Sequence, residues 1–478
     1  MARGKKKEEL TLEEKLERAL VPVEEQPYEV PENWCWVYQN VVCQLGDGEK
    51  RNDEKHTYLE VKYLRGHKEA DIKNTGKYIE KGTKIILVDG ENSGEVFQVS
   101  EDGYMGSTFK VLNISCGINE KYLLYFVDSK RDLLRNSKTG SAIPHLNKKL
   151  FFGLEFPLPP MQEQRRIVKR IESLFAKLDE AKEKLEDSLR VCNERRNSIL
   201  QKAYSGTLTE KWRWDHLNLK NYVIENIKKY SLSLSKKNKK FIEDGQNKLK
   251  EIMMSSNVCW YRGNVGAVSI VTNGSTPSRK RDDYWNGDIP WVSSGEVRNN
   301  VIEYTEERIT QEGYDNSSVK LLPIGTVLIA MIGEGKTRGQ SAILNIEATT
   351  NQNIAAIVIE HGQINSKFLW YWLQKQYKRN REKGSGSGPQ ALNCQRVREL
   401  DFIIPPLEEQ NEIVKIIDNL MNKENSIIDS IETALENIED IRKSILANAF
   451  RGKLGTNHLK EEGSIGLLKP ILQQGNIE

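Results

Sequence analysis

Two stretches of this 478-residue chain, 246 positions apart, repeat one another, and this duplication limits the possible fold more than any other feature. Pro159-Pro160-Met161-Gln162-Glu163-Gln164 corresponds to Pro405-Pro406-Leu407-Glu408-Glu409-Gln410, and Ala203-Tyr204-Ser205-Gly206 to Ala449-Phe450-Arg451-Gly452. From 159 to 208 the register holds without a gap, with 19 of 50 positions identical. Two charged helices that merely looked alike would not keep the flanking Pro-Pro and Gly in step. Upstream, Lys121-Tyr122-Leu123-Leu124-Tyr125-Phe126 matches Lys367-Phe368-Leu369-Trp370-Tyr371-Trp372, and beyond that only fragments agree. Each unit therefore has a variable front half and a similar back half.

The back half reads as a long helix. Pro-Pro ends an extended segment and suits a helix entry, and Gly206 and Gly452 suit its exit. Apolar residues recur at heptad spacing, at Ile171, Leu174, Leu178, Leu185 and Ile199 in the first copy. In the second copy they fall at Ile417, Leu420, Ile427, Ile431, Ile438, Ile441 and Ile445. About 40 helical residues would run ~60 Å, too long to lie on one small domain, so the two helices are expected to pair as a coiled coil. Direction does not follow from the spacing; a pseudo-two-fold repeat favours an antiparallel pair.

The front halves read as mixed α/β. Strand-like runs at 84–88, 327–332 and 354–359 are separated by glycine-bearing polar loops, and a short aromatic helix follows at 122–126 or 368–372. The expected fold class is α/β (α+β): two mixed domains separated by two long helices in an antiparallel coiled coil. The parts are a charged arm (1–32), a first front domain (33–158) and helix (159–206), and a Lys/Asn-rich stretch (207–257) read as a mobile linker with some helix. A second front domain (258–404), helix (405–452) and tail (453–478) follow. A basic DNA-binding arm is the other reading of the linker.

The chemistry that is missing narrows the function. Ala330-Met331-Ile332-Gly333-Glu334-Gly335-Lys336-Thr337 resembles a relaxed phosphate loop, but a strand-like run from Ala342 follows where a helix is needed to hold phosphate. Glu334 and Lys336 have no further carboxylate at a persuasive spacing for a metal-dependent nuclease. Histidines including His56, His67, His145 and His361 form no ligand pattern, and the six cysteines form no Cys-x-x-Cys pair, as expected of free thiols in a reducing cytoplasm. No catalytic or metal residue is assigned. The longest apolar runs, 327–332 and 354–359, fall well short of the ~18 residues of a membrane helix, and the charged N-terminus has no signal-peptide pattern. With 71 basic against 68 acidic residues, charge alone neither requires nor excludes a nucleic-acid partner.

Two variable domains alternating with two similar helices, each helix introduced by Pro-Pro-x-x-Glu-Gln, resemble the specificity subunits of Type I restriction–modification systems. Gly274-Ser275-Thr276-Pro277 and Ile289-Pro290-Trp291-Val292 fit that family; the first domain has Leu45-Gly46-Asp47-Gly48-Glu49 instead of the former element. The resemblance implies that each front half is a target-recognition domain reading one half of a split double-stranded DNA site. It implies that the helices space the readers and dock two methylation subunits, which a motor–nuclease restriction subunit joins. S-adenosylmethionine, ATP and magnesium would serve those partners; this chain itself would carry no cofactor. Base readers are expected among polar residues on loops. The candidates are Lys62, Arg65, Asn92, Lys138 and His145 in the first domain. In the second they are Thr276, Ser278, Arg279, Lys280, Arg281, Lys336, Arg338, Asn351 and Gln352. The rival reading is a coiled-coil scaffold whose domains bind proteins and have no DNA specificity.

Overall fold

The computed structural model describes residues 11–137, 144–216, 218–254, 258–333, 335–382 and 391–474. The chain divides into two units, one of Met1–Glu186 with Glu432–Glu478 and one of Asp187–Ile431. Each contains one front domain and parts of both long helices.

In the first unit, strands Cys35–Tyr38 and Glu155–Leu158 pair antiparallel. A four-stranded antiparallel sheet follows the order Cys43–Gly46, Phe109–Ile114, Lys84–Leu87, Val96–Gln98. The strands Glu49–Leu59, Asp71–Ile79 and Gly103–Met105 each pair with the other two. The aromatic helix Glu120–Ser129 supplies Tyr122, Leu123 and Phe126 to the core, where they meet Phe156 and Phe450. Helix Ile465–Gln474 from the tail adds Leu468, Ile471 and Leu472.

The second unit repeats this plan. Strand Cys259–Asn264 pairs with Asp401–Ile404, and a five-stranded sheet is built around Val327–Ala330, Ser341–Leu344 and Ile354–Val358. The aromatic helix is Ser366–Lys375. The phosphate-loop lookalike is the tip between Val327–Ala330 and Ser341–Leu344, which pair antiparallel; no helix follows Lys336-Thr337, and Glu334 lies outside the described residues.

The Lys/Asn-rich stretch departs from the expected linker. It forms helices Val223–Ser231 and Lys236–Gln246 and strand Lys250–Met253. Val223, Ile224, Ile227 and Ile242 are buried in the unit's core. Asn221 Nδ2 donates to the carbonyls of Cys259 (3.1 Å) and Ile404 (2.9 Å), tying the stretch to two paired strands. A few apolar residues at helical spacing suffice to bury one face, and the surrounding lysines keep the other in water.

The long helices run Met161–Tyr204 and Leu407–Phe450, each followed by its glycine at positive φ, 81° at Gly206 and 68° at Gly452. They pair antiparallel. Arg442 bonds to Asp179 in the first unit, and Arg195 lies 3.2 Å from Glu424 in the second, so one helix ascends as the other descends. The seam differs from the expected one on one side. Ile417, Ile431 and Ile438 are buried as expected, but Ile427 (41% exposed) and Ile441 (46%) face outward. Met421 is buried in place of Leu420, which is half-buried, and Ile428 and Arg442 are more covered than Ile427 and Ile441, while Ala434 and Leu435 are both half-buried. The stripe through Ile417, Glu424, Ile431, Ile438 and Ile445 is thus flanked at i+4, not i+3. The first helix follows suit. Ile171 and Cys192 are buried, Leu174, Leu178, Leu185 and Ile199 are half-buried, and Leu189 and Arg196 are more covered than Ser188 and Arg195. Isoleucines on both flanks made either reading fit the heptad; contact with the neighbouring elements selects one.

The Glu-Gln pair at each helix start explains the repeated motif. Gln164 Nε2 donates to the Pro159 carbonyl (3.0 Å) and its Oε1 accepts from the Asn119 amide (2.7 Å) at the start of the aromatic helix. Gln410 does the same with Pro405 (2.9 Å) and Asn365 (2.9 Å). Glu163 and Glu409 are fully buried. Glu163 accepts from Trp34 Nε1 (2.8 Å), Asn457 Nδ2 (2.7 Å) and Thr456 Oγ1 (3.4 Å). Glu409 accepts from Trp260 Nε1 (2.7 Å), Thr209 Oγ1 (2.7 Å) and the Arg213 guanidinium (2.5 Å). The chain following each helix thus returns to the buried glutamate that opens the other.

These two glutamates should respond differently to loss of charge. Glu409→Gln leaves the buried Arg213 unpaired and should cost about 3–5 kcal/mol in urea unfolding. Glu163 has no cation in its clasp, and burial pushes its carboxyl above the usual range despite the Trp34 and Asn457 bonds. Glu163→Gln should therefore cost about 1 kcal/mol or less at neutral pH. A raised folded pKa gives stability that is fully present below the unfolded value and lost as pH rises through the folded one. The Glu163→Gln deficit should accordingly shrink as pH rises from about 4. Equal costs for the two variants would refute this assignment. For the seam, Ile431→Asp with Ile438→Asp should lower the urea midpoint sharply, whereas Ile427→Asp with Ile441→Asp should leave it nearly unchanged.

Candidate nucleic-acid interface

In the second unit the loop after strand Ile270–Asn273 is held by a close backbone approach. A Cβ at Gly274 would sit 1.9 Å from the Thr350 carbonyl oxygen, so only glycine fits. The Ser275 amide donates to that carbonyl (2.9 Å), and Trp291 Nε1 donates to the Ser275 carbonyl (3.0 Å). Anchored this way, Thr276 donates its hydroxyl to Gln352 Oε1, bringing two sequence candidates together at the surface. The Gln352 side chain is exposed. Its amide can both donate and accept, the paired capacity that suits adenine.

Next along the loop are two arginines, each held by a carboxylate and an aromatic ring. Arg279 pairs with Glu307 through both guanidinium nitrogens and stacks 3.6 Å over Trp285. That pairing holds the Glu307 carboxyl below its usual range. Arg281 bonds to Asp283 and Glu312 and lies over Tyr284, and Asp283 raises its pKa. Such forks are fixed in direction but already engaged, so a base would have to displace a carboxylate. Ser278, just before them, and Lys280, between them, are exposed; the Ser278 carbonyl accepts from Trp285 Nε1 (3.3 Å). Lys336 is exposed on its loop, its carbonyl accepting from Tyr377 (2.6 Å).

Two candidates sit elsewhere than expected. Arg338 is 9% exposed and Asn351 7%. Asn351 donates its amide to Val292 (3.0 Å) and accepts from the Asn353 amide (3.0 Å), which makes it a turn-former inside the fold. Polar residues flanked by Gly or Thr look like loop surface in sequence; here the fold covers them.

In the first unit, Lys62 is exposed on the short helix Val61–Leu64, and Arg65 is paired with Glu95. Asn92 is half-buried in the turn before Glu95, and its carbonyl accepts from the Glu95 amide (3.1 Å). His145 Nδ1 lies 2.7 Å from Asp89. Lys138 lies outside the described residues. The structure adds an element that the sequence reading passed over, the long antiparallel pair Glu49–Leu59 and Asp71–Ile79. It interleaves cations with rings, with Arg51 3.7 Å over Tyr78, Lys73 3.1 Å over Tyr58, and His56 4.9 Å from Tyr78. A two-stranded ribbon of this kind matches the width of a DNA major groove. The signal was present as basic residues alternating with tyrosines, but the dense flanking acids hid it.

Among the described residues no group of three His, Cys, Asp or Glu could hold a metal ion, and no helix is long and apolar enough to cross a membrane. The duplicated domain-and-helix plan and these polar, aromatic-backed loops define a two-domain recognition protein. The model of the Type I restriction modification DNA specificity domain matches residues 41–190 and 257–437, and the chain belongs to that family. It is 22% identical over 463 residues to the Type I restriction enzyme StySPI specificity subunit of Salmonella potsdam, covering 89% of this chain and 90% of that protein. It is 24% identical over 447 residues to the MjaVIII specificity subunit of Methanocaldococcus jannaschii, covering 90% and 95%. A chain from a solved structure concerning complex assembly and conformational transition of the type I R-M system shares the fold. The TM-score is 0.65 at 17% identity, over 89% of this chain and 100% of that one.

Gly274→Ala should release the loop from Thr350. Hydrogen exchange at the Ser275 amide should rise and unfolding should lose about 1–3 kcal/mol from overpacking. Gly295→Ala, whose new methyl would meet only Ser293 Oγ at 3.7 Å, should do neither.

Proposed function

We propose that this chain reads a split DNA sequence, one half-site per front domain, and that its helices dock two methylation subunits to which restriction subunits add. The observation that carries this reading is the contrast within the repeat. The helix anchors at Glu163 and Glu409 and at Gln164 and Gln410 are kept, while the front halves present unlike surfaces, a cation–tyrosine ribbon in one and the Gly274–Gln352 loop cluster in the other. Two unlike readers on a common frame recognise two unlike half-sites. Half-sites read from one face of the duplex would be centred roughly one turn, about 10 bp, apart. The chain carries no chemistry of its own; S-adenosylmethionine, ATP and magnesium act on the partner subunits, in the cytoplasm.

Methylation mapping of the assembled complex tests this. Replacing residues 33–156 with the matching domain of a relative should change one half-site and leave the other intact. Inserting one heptad after Leu185 and one after Leu435, positions that the antiparallel register sets opposite each other, should keep both half-sites. It should widen their spacing by ~10 Å, about 3 bp. A swap that alters both half-sites, or an insertion that alters base identity but not spacing, would overturn the reading. The chain alone, given magnesium, ATP and S-adenosylmethionine, should neither cut nor methylate DNA.

A further inference from the structure

A concavity of about 710 Å³ in the first unit lies where the turn between helices Glu120–Ser129 and Arg131–Asn136 meets the two long helices. Its floor is apolar, with Phe126, Phe175, Leu446 and Phe450. Its walls are basic. Lys130, Arg131 and Arg135 come from the short helices and Lys182 from the first long helix. Arg442, Lys443 and Arg451 belong to the second long helix and its end. Asp128, Asp132 and Glu439 are the acids in its lining, and Asp179 and Glu95 reach two of the seven cations from outside it. With these counted, seven cations face five carboxylates, and the cleft keeps a basic excess within an almost balanced sequence.

Some of this charge is internally committed. Arg442 bonds to Asp179, Lys443 lies 3.1 Å from Asp132, and Arg131 lies 3.6 Å from Glu95. Two others are set against rings, Lys130 5.5 Å from the centre of Phe126 and Arg451 5.1 Å from that of Tyr28. Burial lowers the pKa of the Lys130 ammonium, a dehydrated cation that an incoming anion would stabilise. The second unit keeps only part of this charge at the 246 offset: Lys130, Arg131, Lys182, Lys443 and Arg451 give way to Gln376, Tyr377, Ile428, Asn197 and Ser205. Arg135 and Arg442 correspond to Arg381 and Arg196, and Asp132 is replaced by Lys378. In the same unit Lys375 lies 4.8 Å from the Trp372 ring, its pKa lowered by burial and by Arg379 and Arg262.

We propose that this cleft holds the phosphate backbone of duplex DNA, as a sequence-independent contact outside the base-reading loops. It rests on the DNA reading above. Phosphate contacts position a protein on DNA and carry no sequence information. Losing them should weaken binding to every duplex alike and reduce its salt dependence, by about 0.9 in log–log slope per contact.

The test uses the full chain assembled with its methylation subunits and carrying Arg135→Ala, Lys182→Ala and Lys443→Ala. Binding is measured against salt on a duplex with the target and on one without it. The slope should fall by about two to three on both duplexes, with the methylated sequence unchanged. Lys182→Glu alone, at an exposed helix position, should weaken binding in the same direction while leaving the urea midpoint in place. Unchanged slopes would overturn the proposal. So would unchanged DNA binding with weakened assembly, which would assign the cleft to an acidic protein surface. A wild-type complex that binds neither duplex would instead defeat the DNA reading itself.

Discussion

A carboxylate with no water around it has to be satisfied by its neighbours, and much of this fold is arranged to satisfy two of them. Glu163 and Glu409 each take an indole N–H, from Trp34 just before strand Cys35–Tyr38 and from Trp260 in strand Cys259–Asn264, and a hydroxyl from the chain that follows the other long helix. An unmet buried charge costs several kcal/mol, so these bonds fix where each helix begins and where the returning chain must lie. The adjacent glutamines extend the anchor to the aromatic helices through Asn119 and Asn365. Strand, aromatic helix, long helix and returning tail thus meet at one residue pair in each unit.

The two anchors solve the same problem with different chemistry. In the second unit Arg213, almost fully buried, neutralises Glu409. In the first, neutral donors from Asn457 and Thr456 replace the guanidinium, and Arg166 is turned to Glu461 through two bonds of 2.7 and 2.8 Å. The geometry of the acceptor is conserved between the copies while the donors are not, as expected when the requirement is satisfaction of the carboxylate and not a particular partner.

What could be read from the sequence followed the repeat. The long helices, their Pro-Pro entries and glycine exits, the strands near 84, 327 and 354 and the aromatic helices all rest on local patterns that tertiary packing did not alter. What could not be read depended on choices between equivalent patterns or on distant neighbours. Ile427 and Ile441 fit a heptad as well as Met421 and Ile428 do, and only the surrounding packing decides which flank is covered. Trp34 and Trp260 do not share the 246 offset, so their common role is invisible by alignment of the copies. Arg65, Arg279 and Arg281 are cations on loops in sequence, yet each meets a carboxylate brought from elsewhere in the chain or turned back by the local fold.

The anchor also bears on how such a chain can change over generations. Residues that satisfy Glu163 and Glu409 lie at the edges of the front halves or beyond the helices, at Trp34, Trp260, Thr209, Arg213, Thr456 and Asn457. The loops and ribbon facing outward contribute nothing to them. Genetic exchange with crossovers in the shared helix segments and near these edges would therefore transplant an entire outward-facing surface without leaving a buried charge unmatched. New combinations would fold on arrival, and selection could act on what they recognise before acting on whether they hold together.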